Sequence, residues 1–171
     1  MSAHDWPRDE EGIPHRRAAR VILVDDDDRV LLVRGHDADN PKRSWWFTVG
    51  GGVEHGETTQ ECAIRELFEE TGIRLDDSAL VGPVACRHAV FDFATILARQ
   101  DEEIFFARTR VQQLSNSRWT AEERRVIDEY RWWDLEALEQ FARSHEVFPV
   151  GLCELVRSCI QGWDGTTLIL E

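Results

Sequence analysis

The chain reads as an α/β protein in which a mixed sheet is covered by helices. Apolar runs of strand length recur along it, segments of helical period stand between them, and both hairpin-type turns and longer crossovers connect them. At 171 residues and 42% hydrophobic content it is sized for one domain with a real core.

Residues 1–17 are polar, contain Pro7 and Pro14, and carry neither period, so they are expected to form a flexible N-terminal arm ahead of a single domain spanning 18–171. Apolar runs at 19–24 and 30–34 flank Asp25-Asp26-Asp27-Asp28, a hairpin signal with the aspartates as a solvated turn. Residues 35–44 read as a loop before a short aromatic strand at 45–49. Glycines 50, 51, 52 and 56 then lead to Thr58 and Glu61, a capping-box pair that starts a helix over Thr59–Thr71, stopped by Gly72. Residues 73–75, 80–86, 89–97 and 103–109 look extended, with a polar turn at 99–102. A polar connection follows at 112–125, then a strand at 130–133, a helix over 135–143 capped by Asp134, and a last helix over 150–161.

Charge and cysteines narrow the function. Twenty Lys and Arg against 33 Asp and Glu give a net charge of -13, which repels polymeric nucleic acid and anionic membrane surfaces. A small phosphorylated ligand remains compatible, because a bound cation or local arginines can reverse the field. The four cysteines form no C-x-x-C pair, and no apolar run approaches the length of a membrane span; reduced thiols in a cytoplasmic protein are the expectation.

The stretch from Gly51 to Ile73 carries the chemistry. At about 100° per residue, Glu66, Glu69 and Glu70 fall in one arc of the helix, and Ile64, Leu67 and Phe68 form an apolar face expected to pack on the sheet and hold the acids outward. Arg65 lies four residues from both Glu61 and Glu69, within reach of each. Like charges so close repel unless a cation sits among them, and oxygen-only ligands select Mg²⁺ or Mn²⁺ over zinc. An ordinary solvated acidic face is the alternative.

These residues match every position of the Nudix box, G-x5-E-x7-R-E-U-x-E-E-x-G-U with U a bulky aliphatic: Gly51, Glu57, Arg65, Glu66, Leu67, Glu69, Glu70, Gly72 and Ile73. A chance match is on the order of one in a million. The chain thus resembles the Nudix hydrolase family. That resemblance implies an α/β/α sandwich and Mg²⁺- or Mn²⁺-dependent hydrolysis of a nucleoside diphosphate linked to another group. It also implies that Glu66, Glu69 and Glu70, with the Gly51 carbonyl, hold metal. The metals would neutralise phosphoryl charge and acidify the attacking water. Glu57, Arg65 and Glu69 are the expected catalytic groups, and the base that orients the water is sought among Glu57, Glu69, Glu103, Glu122 and Glu123. One departure is Val49, where many members carry proline; it touches loop geometry rather than a ligand.

Other motifs fail on chemistry. Gly51-x4-Gly56-x-Thr58 has the spacing of a Walker loop but places Glu57 where lysine is needed, and His145-Glu146 is followed by Pro149 instead of a second histidine. Trp46 could stack on a base, and Arg34, Arg43 and Arg87 could grip a diphosphate, each against the plainer reading of core tryptophan or surface arginine. The rival function is a Nudix-fold binding or sensor domain that holds a nucleotide derivative without cleaving it. A homodimer is plausible by resemblance.

Overall fold

The computed structural model describes residues 3–92, 95–110, 114–121 and 123–170. Nine strands and four helices alternate along these residues: β1 (His15–Val24), β2 (Val30–Asp37), β3 (Asn40–Phe47), β4 (Val49–Gly52), α1 (Thr59–Thr71), β5 (Val81–Asp92), β6 (Leu97–Arg108), α2 (Glu123–Val126), β7 (Ile127–Trp133), α3 (Leu135–Phe141), β8 (Val147–Phe148), α4 (Leu152–Gln161) and β9 (Leu168–Leu170). The sheet runs β8-β3-β2-β1-β6-β5-β9, with β4 branching from β1 and β7 from β2.

β1 is the hub. It pairs in parallel with β6 along its whole length, antiparallel with β4 from Ala18 to Val21, and with β2 through Val24 and Val30. Strand alternation sends its side chains to two cores. Ala19, Val21 and Leu23 join Leu31, Val33, Phe105 and α1's Leu67 on one side; Ile22 and Val24 join Leu32, Ile104, Trp133 and the α3 and α4 residues Leu138 and Val156 on the other. Helices on both faces give the expected α/β sandwich.

The Asp25–Asp28 turn closes the β1–β2 hairpin, but Asp25 is fully buried. Its Oδ1 accepts from the backbone N–H of Asp27 (3.0 Å) and Arg29 (2.8 Å), so this member of the acidic run ties the turn together and is not solvated. α1 has the expected limits: Thr58 and Glu61 form the capping box, and Gly72 takes the left-handed conformation at φ 77°.

Elsewhere the elements differ from expectation for identifiable reasons. Residues 35–44 are mostly strand, because β2 and β3 form a hairpin turning between Asp37 and Asn40. At Gly35 the space of a side chain is filled by the Phe47 ring and the Val126 carbonyl. The polar stretch 99–102 is no turn but the middle of β6, where neighbouring segments supply polar partners: Arg99 pairs with Asp9 and Glu11, Asp101 meets the His15 and His88 rings, and Glu102 pairs with Arg20 and Arg87. Residues 73–75 lie outside any strand. The N-terminal segment is docked instead of loosely attached: residues 15–17 already belong to β1, Pro14 bridges to Arg8, and Trp6 is 7% exposed.

All four cysteines are free, and among the described residues no helix is long and apolar enough to cross a membrane. Leu67 anchors α1 on the sheet with no exposed surface; Leu67→Ala is expected to cost about 2–5 kcal/mol, read as a lower urea midpoint.

Candidate active site

The acidic helix face points inward. Glu66 is 9% exposed and Glu70 4%, packed beside Ala63 and Leu67, whereas Ile64 and Phe68 are only half-buried. The expectation that an apolar face would hold the acids outward is therefore corrected. α1 lies across the glycine strand β4, and glycines leave the room that carboxylates occupy. A Cβ on Gly51 would stand 2.5 Å from the Glu66 carboxyl carbon, and one on Gly50 (φ 139°) would strike the Ala19 carbonyl oxygen.

Hydrogen bonds fix both partners. The Gly50 N–H donates to Glu70 Oε2 (3.0 Å), and Arg20 donates to the carbonyls of Gly50 (2.8 Å) and Thr48 (3.2 Å). Behind the helix, Trp119 Nε1 (2.9 Å) and the Tyr130 hydroxyl (2.6 Å) both donate to the Glu70 carbonyl. Trp119 belongs to the connection between β6 and α2, and its docking brings Glu123, at the start of α2, to the helix. Carboxylate oxygens of Glu66, Glu70 and Glu123 all lie within 4.8 Å of one another.

Arg65 organises the outer half. Its Nε and Nη2 hold Glu57 in a bidentate pair (2.8 and 2.9 Å), Nη1 reaches Glu66 (2.8 Å) and Glu69 (3.1 Å), and Nη2 also donates to the Gly52 carbonyl (3.0 Å). Glu57 in turn accepts from the Glu54 N–H at 2.9 Å. The Arg65 hydrogen bond holds the Glu57 carboxyl below its ordinary range, and Glu57 holds the guanidinium charge in place. Glu57 is thus placed to orient the loop, and Glu69, its side chain 45% exposed, stands at the rim beside Arg65 and outside the triad.

The inner carboxylates behave oppositely. Burial pushes the Glu66 carboxyl above its ordinary value, and burial followed by the Glu66 charge pushes Glu70 well above it. Glu66 and its surroundings also press on Cys62, whose thiol burial raises to about 12. Three clustered carboxylates with two strained toward the neutral form make a donor set that fits a hard divalent cation. The Gly51 carbonyl lies opposite Ala19 in the β1–β4 ladder and also meets the weak Cys62 thiol donor at 3.5 Å.

The remaining expected residues are elsewhere or otherwise engaged. Glu103 on β6 accepts from Thr59 Oγ1, eleven residues and about 16 Å of helix from Glu70. Glu122 lies outside the described residues. Trp46 is buried and packs edge-on against Trp133 (5.1 Å) and Phe141 (6.4 Å), which makes it a core residue and not a stacking platform. Arg34 pairs with Asp128 and Glu129, and Arg43 donates to the Asp92 carbonyl. Arg87 is buried with its Nε 2.8 Å from Glu102, an ion pair whose N–H is not aimed at the oxygen. Both Arg43 and Arg87 line a cavity of about 190 Å³ that also meets Trp45, Phe91 and Phe148. Trp119, Tyr130 and Arg20 escaped the sequence reading, since nothing in local spacing marks a side chain that supports a carbonyl 28 to 60 residues away.

An α/β sandwich with a carboxylate helix laid across a glycine strand defines the class, and comparison with known proteins agrees. The NUDIX domain model matches residues 14–149, and the chain belongs to the Nudix hydrolase family. An RNA pyrophosphohydrolase of Caulobacter vibrioides is 30% identical over 158 residues, 87% of each chain. A Bacillus subtilis Nudix hydrolase is 40% identical over 60 residues, 35% of each chain, and an RNA pyrophosphohydrolase of Dinoroseobacter shibae is 36% identical over 70 residues, 41% of this chain and 42% of the relative. The match therefore spans less than half the length of these last two relatives. The structure of a MutT protein from Bacillus halodurans superposes with a TM-score of 0.59 at 22% identity, covering 89% of this chain and 86% of the other, which shows a shared fold.

Replacing Glu70 by glutamine removes a buried charge while keeping an acceptor for Gly50. The wild type is expected to melt higher with Mg²⁺ than without; the variant is expected to melt higher than the wild type without metal and to show no rise with Mg²⁺. Gly51→Ala is expected to lose that rise as well, by displacing Glu66; scanning calorimetry with and without Mg²⁺ reads both.

Proposed function

We propose that this protein hydrolyses the diphosphate bond of a nucleoside diphosphate linked to another group, with Mg²⁺ or Mn²⁺ held by Glu66, Glu70 and Glu123 and the Gly51 carbonyl. The observation that carries this reading is the burial of Glu66 and Glu70 against each other and against Glu123, an arrangement of like charges that costs stability and that a divalent cation offsets. The bound metal would neutralise diphosphate charge and lower the pKa of water.

The chain's own residues divide the remaining work. Arg65 ties Glu57, Glu66, Glu69 and the Gly52 carbonyl into one unit, so the loop carrying Gly51 keeps its place relative to the helix. Glu69 has an exposed carboxylate at the rim, where it can orient a water or extend the metal site. Glu123 comes from α2 and not from α1, and the Trp119 hydrogen bond to the Glu70 carbonyl ties its approach to α1; it is a candidate for the third ligand or for the base.

A small nucleotide is the substrate class that the charge favours, since a net charge of -13 repels a long polyanion. The Caulobacter relative is named for RNA, which makes a 5′-triphosphorylated end the second reading. A cytoplasmic, homodimeric enzyme belongs to the same proposal.

A panel of nucleoside triphosphates, sugar nucleotides, ADP-ribose and a 5′-triphosphorylated oligoribonucleotide with Mg²⁺ or Mn²⁺ tests it. Hydrolysis of at least one small substrate is expected, with the turnover of Glu70→Gln lower by about 100-fold or more. Binding of a nucleotide derivative without cleavage would support the sensor reading instead.

A further inference from the structure

The N-terminal segment that precedes the Nudix match docks onto β1 and β6. Residues Asp9–Gly12 turn back on themselves through the Asp9 carboxylate, which accepts from Glu11 and Ile13 N–H groups, and the His15 N–H donates to the Pro7 carbonyl at 2.7 Å. Arg99 pins the turn by pairing with Asp9 (2.8 Å) and Glu11 (2.6 Å). The result lays the Trp6 ring on the guanidinium of Arg16, whose Cζ sits 3.9 Å from the ring centroid.

Arg16 differs from the arginines around it. Arg17, Arg20, Arg65, Arg87 and Arg99 each pair with a carboxylate. Arg16 pairs with none among the described residues: its Nε donates to Gln100 Oε1 (2.6 Å), and its two terminal nitrogens donate to no described residue. The guanidinium lies against the glycine strand, with Nη1 2.9 Å from where a Gly52 Cβ would stand. The neighbouring glycine, Gly51, carries Glu66 over its other face, so Arg16 and Glu66 stand on opposite sides of β4, one residue apart. Burial and then the Arg20 charge work against the Arg16 cation, while Glu66 and Glu102 favour it. A cation held in this way, with donors left over and only the glycine strand between it and the Glu66 carboxylate, lacks only an anion.

We propose that Arg16 binds a phosphate oxygen of the substrate, and that Trp6 and Gln100 position its guanidinium for that contact. The assignment rests on the diphosphate reading above. It adds a binding residue on β1 and gives the N-terminal turn a task in the site. Trp6 fixes the plane of the guanidinium, Gln100 fixes its Nε edge, and both leave the outer N–H groups to the ligand.

Calorimetric titration with inorganic pyrophosphate in saturating Mg²⁺, and with Mg²⁺ alone, tests this on the full chain. Arg16→Met is expected to bind pyrophosphate about tenfold or more weakly with Mg²⁺ affinity unchanged, and Arg16→Lys to fall between it and the wild type. Trp6→Ala should weaken pyrophosphate binding, Trp6→Phe should stay near the wild type, and Trp6→Ala combined with Arg16→Met should be no weaker than Arg16→Met alone. If Arg16→Met does not fold, the Arg16→Lys and Trp6 series decide. Wild-type affinity in Arg16→Met, or equal affinity across that series, overturns the proposal. So does a wild type that binds Mg²⁺ but not pyrophosphate, whereas failure to bind Mg²⁺ overturns the metal site itself.

Discussion

Glu66 and Glu70 press their carboxylates against a strand of glycines with almost no exposed surface, and a third glutamate joins them from a separate helix. Every nearby feature either makes that crowding possible or limits its cost. The glycines supply space that no other residue could leave, the Gly50 N–H supplies one hydrogen bond to Glu70, and Arg65 supplies the counter-charge on the outer side. None of these neutralises the inner pair, both of which remain displaced toward the protonated form. Such strain at a site is what a protein that binds a cation would be expected to retain.

The sheet topology explains how a stable domain tolerates it. β1 carries two cores back to back and pairs with β4 on one branch and β6 on another, so the glycine strand is held by its neighbours with Val49 as the one side chain it adds to a core. The buried ion pairs of β6 serve the same strand: Glu102 orients Arg20, and Arg20 holds the Thr48 and Gly50 carbonyls. The stability of the fold and the geometry of the site therefore share residues.

The legibility of the sequence follows the range of the interactions. α1 and its caps were readable to the residue, because Thr58, Glu61 and Gly72 act within a single turn of the chain. The clustering of Glu66 and Glu70 on that helix was readable for the same reason, although their inward orientation was not, since burial depends on β4 and not on helical period. β6 was misread at 99–102 because its charges are satisfied by residues as far away as Asp9 and His15. Glu123 was one acid among several until Trp119 and Tyr130 fixed the approach of its helix, and Trp46 turned out to be core because its partners Trp133 and Phe141 lie far along the chain.

Electron paramagnetic resonance of Mn²⁺ titrated into the wild-type protein measures the central claim most directly. The account predicts that the six-line signal of aqueous Mn²⁺ is suppressed up to a defined stoichiometry and returns when Mg²⁺ is added in excess. A signal that grows in proportion to added Mn²⁺ from the first aliquot, as it does in buffer, would contradict it.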